Sequence, residues 1–179
     1  MQGHAELDKM LATSELPDLG PATRPGTESQ KALERSLDSI LSDSKIPSTR
    51  QLLIRALILL WHDHLEPAHV IAQSIDNVDG SFVHGIMHRR EPDYGNAKYW
   101  FRRVGRHSAF PVIATRTAEL LKAKNQPALL TRLTPGGEWD AFAFVDLCEE
   151  ASESKTSDIA VVLREIQRIE TESLLQTLA

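Results

Sequence analysis

Wherever the apolar residues of this chain show a period, it is that of an α-helix. No segment alternates apolar and polar residues as a half-buried strand does. Leu33, Leu37, Ile40 and Leu41 recur at helical spacing, and so do Leu52, Leu53, Ala56, Leu57 and Leu60. The same spacing returns in Phe110, Ile113, Thr117, Leu120 and Leu121, and again in Ile159, Val162, Leu163, Ile166 and Ile169. One fold class follows: all-α, a single-domain bundle of about seven or eight helices. A length of 179 residues suits one domain and is enough to bury a core.

Proline and glycine divide the chain. Residues 17–29 hold three prolines and two glycines, so 1–29 is expected as an N-terminal arm or linker and 30–179 as the helical domain. The most apolar helix is expected over residues 49–64, with Ser48 or Thr49 as its N-cap. Stepping about 100° per residue along it turns Asp63 and His64 inward and leaves His62 outside with Arg55. Glu66-Pro67 interrupts, and a short helix then carries His69. A helix over about 80–90 sets Phe82 with Ile86, and Val83 with Met87, on an apolar stripe. His84 and His88 form a second stripe beside it, one turn apart. Pro92 ends that helix, and the next packs through Ala97, Trp100, Phe101 and Val104.

Cys148 is the one cysteine, which excludes an intramolecular disulfide framework and a multi-cysteine zinc site. Leu52–Trp61 is interrupted by Arg55 and is too short to span a bilayer, so no membrane partner is expected. The start of the chain has no basic segment followed by an apolar run, and the expected location is cytoplasmic. From His84 to His107 six basic residues stand against two acids, a balance of +4. That leaves −9 for the rest of a chain whose net charge is −5. A basic segment on an acidic body suits a small anion better than a nucleic-acid track, or else arginines that pair with acidic helices elsewhere in the fold.

Six of the seven histidines fall between Trp61 and Phe110, which places the site region at 61–107. Two histidines four apart on a helix bring their ring nitrogens together from adjacent turns. The expected metal ligands are His64, His69, His84 and His88, with Glu66 and Glu91 as neighbouring carboxylates. Histidine and carboxylate without paired cysteines suit a divalent transition metal (zinc, iron, manganese or nickel) in a catalytic setting. The acid–base candidates are His88, Glu91 and Asp63. Without a metal, the same segment reads as an anion pocket. Arg89, Arg90, Arg102 and Arg103 fork onto phosphate or carboxylate, His107 supplies a proton and Tyr99 a wall. A third reading leaves the histidines purely structural. A His-Glu-x-x-His helix, a serine-hydrolase elbow, a phosphate-binding glycine loop and a dinucleotide fingerprint are all absent.

The block His84-x-x-x-His88-Arg-Arg-Glu-Pro-Asp-Tyr-x-Asn-Ala-x-Tyr-Trp-Phe-Arg-Arg-Val-Gly-x-His107 follows Trp61-His-Asp-His-Leu-x-x-Ala-His69. Over about residues 60–110 it resembles a family of uncharacterised microbial and fungal proteins. The resemblance implies no reaction and no catalytic assignment. The function expected from the residues is a metal-dependent enzyme acting on a small polar or anionic molecule. The alternatives are a non-catalytic binding module for an anionic small molecule or a partner protein, and a structural helical domain that forms a homo-oligomer.

Overall fold

A computed structural model describes residues 2–152 and 157–179, with side chains from His4 onward. Ten α-helices and one 3₁₀ turn (Pro135–Gly137) make up its regular structure, with no strand among the described residues. The helices are α1 (Gln2–Met10), α2 (Gln30–Leu41), α3 (Ser48–Trp61), α4 (Leu65–Ala72) and α5 (Val78–Arg90). They continue with α6 (Tyr94–Val104), α7 (Phe110–Ala123), α8 (Pro127–Leu133), α9 (Ala141–Ala151) and α10 (Asp158–Leu178). The all-α expectation holds. The count exceeds seven or eight partly because α8 is only seven residues long, too short for a helical period to stand out.

Two helices form the centre. On α3 every residue from Leu53 to Trp61 except Arg55 is buried, as its apolar composition requires. On α5 every residue from Gly80 to Arg90 is buried, although that segment holds two histidines and two arginines. It is enclosed by α3, α4 and above all α6. Close α5–α6 contact depends on Gly85: a Cβ there would lie 3.0 Å from the Phe101 ring. Asn77 starts α5 by accepting the Gly80 N–H at 2.7 Å, and Asp93 starts α6 by accepting the Asn96 N–H at 3.1 Å. For α5, Asp79 or Ser81 would be the more conspicuous capping choices in the sequence.

The end of α3 corrects the sequence-based phase. The helix stops at Trp61, His62 caps it at φ −94°, and Asp63 sits in the left-handed region at φ +67°. A 100° step no longer applies beyond Trp61, so His62, expected outside, is 2% exposed. This corner grips the segment between α1 and α2. His62 Nε2–H donates to the Met10 carbonyl (2.8 Å), and Glu28 N–H donates to His62 Nδ1 (3.1 Å). His64 Nε2–H donates to the Glu28 carbonyl at 2.7 Å. Asp63 accepts from the Arg24 backbone N–H (3.2 Å) and from Arg90 Nη2 (2.8 Å), with the Arg24 guanidinium ion-paired beside it, while Arg90 also reaches the Gly20 carbonyl (3.2 Å). Leu7, Met10, Leu11 and Leu19 join the common core, so the N-terminal segment packs on the bundle.

Candidate functional site

Three imidazoles converge where α4 crosses α5. His84 and His88 stand one turn apart on α5 and stack with centroids 4.8 Å apart and planes 16° off parallel. His69 comes from α4, its centroid 4.8 Å from that of His84 and 5.1 Å from that of His88. One ring nitrogen from each residue lies within 4.8 Å of the other two. Zinc–nitrogen bonds of about 2.0–2.1 Å in a tetrahedral site place nitrogens roughly 3.3 Å apart, so modest ring rotations close the set.

His84 has the most constrained environment. It is 3% exposed, and the Trp100 ring stacks on it with centroids 4.0 Å apart, at 20°. Neither of its nitrogens has a hydrogen-bond partner among the described residues. A buried polar group normally finds one, because leaving it unmade costs free energy. Burial, then His88 and His69, push its pKa down to about 4. The ring is therefore neutral at pH 7, with a lone pair free to bind a cation.

His88 is buried too, and its pKa is lowered by that burial and by His69, against the opposing carboxylates Glu91 and Asp93. Its Nδ1–H donates to Glu91 Oε2 at 3.1 Å. That fixes the tautomer and directs the Nε2 lone pair elsewhere, as an outer carboxylate does for a metal-ligating histidine. The Asn96 amide nitrogen lies 3.1 Å from that Nε2. Asn96 and Trp100 thus belong to the site, although in the sequence they read as a cap neighbour and a core residue. The signal that finds them is the short turn at Pro92, which folds α6 back along α5.

The other expected site residues lie elsewhere. Asp63 and His64 belong to the corner that grips the N-terminal segment, so His64 is not with His69, His84 and His88. Arg89, expected at an anion, is fully buried and forks onto Glu170 (3.1 and 2.5 Å), with its guanidinium 4.3 Å over Phe144. Arg102 is exposed and lies 6.0 Å over Phe142. Arg103 pairs with Asp76 at 2.5 Å and covers the Trp100 ring at 5.3 Å. Tyr99 is exposed, edge-on to Trp100 at 5.3 Å. His107 Nε2–H donates to Asp79 (2.9 Å), and its Nδ1 accepts the Ala109 N–H (3.1 Å). Both its nitrogens are used in joining α5 to the start of α7. Glu66 is exposed on the first turn of α4.

No helix among the described residues is long and apolar enough to cross a membrane. No family model, curated protein or solved structure matches the chain.

Proposed function

We propose that His69, His84 and His88 hold a divalent transition metal, and that the protein is a metal-dependent enzyme acting on a small polar molecule. The observation that carries this reading is the pair of unpartnered nitrogens on the buried His84 ring, set among two other imidazoles. Three histidine ligands leave a coordination position free, the arrangement of catalytic rather than structural zinc. His69, half-buried, is the most exposed of the three imidazoles. A metal there polarises a bound carbonyl and lowers the pKa of bound water toward neutrality, which suits hydrolysis. Glu91 then orients His88 from outside. Asn96, whose amide nitrogen lies 3.1 Å from His88 Nε2, would stand beside a metal held there as a hydrogen-bonding group.

Elemental analysis of the full chain, purified without a histidine tag, tests the reading. About one transition-metal ion per chain is expected, lost in His84→Ala and in His69→Ala. Failure of zinc, manganese, iron and nickel alike to bind at pH 7.5 overturns it.

A further inference from the structure

The arginines that made the sequence look like an anion site are engaged elsewhere. Arg89 faces Glu170 and Arg90 faces Asp63, both pairs out of contact with water. Lys98 pairs with Asp146, and Arg103 with Asp76. Arg102 lies over Phe142, and Arg106 lines a separate cavity of about 370 Å³ with Phe110 and Trp139. The groups that hydrogen-bond or act electrostatically on His88 are instead Glu91, Asp93 and Asn96.

The rim of the histidine cluster is built from other groups. Glu91 holds His88 Nδ1 with its carboxylate half exposed. Asp93, also exposed, begins α6 one turn before Asn96, and its carboxylate acts electrostatically on His88 together with that of Glu91. The Trp100 ring has His84 on one face and the Arg103 guanidinium over it as well, so it offers no open π-face to a cationic ligand. What remains for recognition is two carboxylates and the Asn96 amide. A divalent ion bound inside this rim has its charge matched by Glu91 and Asp93, and an incoming anion meets both carboxylates before the metal.

We infer that the site, taken as the metal centre proposed above, selects uncharged or cationic polar ligands over anions, and that Glu91 and Asp93 set this selection. The buried, unpartnered His84 ring gives the carboxylates a ligand-binding centre to act on. Asp93 is the cleaner probe: its backbone N–H holds the His88 carbonyl (2.9 Å) whatever its side chain, its carboxylate hydrogen-bonds to no proposed ligand, and asparagine retains the oxygen that caps the Asn96 N–H.

The test uses the full chain loaded with cobalt(II), whose visible absorption reports its coordination, at pH 7.5 and fixed ionic strength. Imidazole, mostly uncharged at that pH, and inorganic phosphate are titrated into wild type and Asp93→Asn, with Glu91→Gln/Asp93→Asn as the stronger case. Phosphate affinity is expected to rise about threefold in the single variant and about tenfold in the double one, as like charges are removed from a partly solvated rim. Imidazole affinity is expected to stay within about twofold in Asp93→Asn. Phosphate affinity unchanged in both variants, beside a normal cobalt spectrum, overturns the selection and leaves the metal centre intact. Absence of any cobalt spectrum in wild type overturns the metal centre and the selection together.

Discussion

Trp100 and Phe101 are neighbours on α6 with different positions. Phe101 is 2% exposed, with its ring against Gly85 and 5.6 Å from Phe82, whereas Trp100 is half-buried and covers His84. The sequence places both on one packing face, since residues one apart differ by only about 100° around a helix. Truncating Phe101 to alanine is expected to cost about 3–5 kcal/mol, the range for a large-to-small change in a closed core. Trp100→Ala should cost clearly less, because solvent can enter where the indole was, while its main effect falls on the surroundings of His84. Urea denaturation of the two variants decides the matter. Equal losses would mean that the indole is a core residue and not the cover of an imidazole.

Helix α5 runs through the molecule with Arg89 and Arg90 buried at its end, and each is held by an acid from a distant part of the chain. Charge removed from water is tolerated only when matched, and breaking a matched pair leaves the remaining charge stranded. Glu170→Ala should therefore destabilise the fold by about 3–5 kcal/mol. Glu150→Ala, which breaks a more exposed pair with Arg132, should cost below about 1 kcal/mol. The double variant Arg89→Met/Glu170→Leu should recover most of the first loss, since neither charge is then left behind. Thermal or urea unfolding of the set measures this. A double variant as unstable as Glu170→Ala would show that the Arg89 stack on Phe144, not charge matching, carries the contribution.

Across the whole molecule, proton uptake connects the histidine cluster to the corner that grips the N-terminal segment. Burial lowers the pKa of His62, His84 and His88 alike. Each is less readily protonated folded than unfolded, so the metal-free fold should be at full stability above about pH 6.5 and lose stability as pH falls below it. For His84 the loss continues down to its folded value of about 4, a drop worth about 3 kcal/mol at most. Protonating His62 also turns Nδ1 into a donor facing the Glu28 N–H, which breaks the grip. Urea denaturation in EDTA at pH 7.5 and 5 should show the decline, and His84→Phe should make it shallower. Equal stability at both values would contradict neutral buried imidazoles.

The sequence alone determined the helical class, most helix positions and the pairing of His84 with His88, because these depend on spacing within one element. His69 was legible as a candidate, but its meeting with the pair depends on how α4 crosses α5. The tertiary structure alone decided the rest. It showed that α3 ends three residues early, so that His62, expected outside, and Asp63 and His64, expected at the site, together grip the N-terminal segment. It also assigned the buried Arg89 and Arg90 their acids, in Arg89's case one 81 residues away. Such partners are chosen by which charge must be matched once a helix is enclosed on all sides, and that depends on packing between elements far apart in the chain.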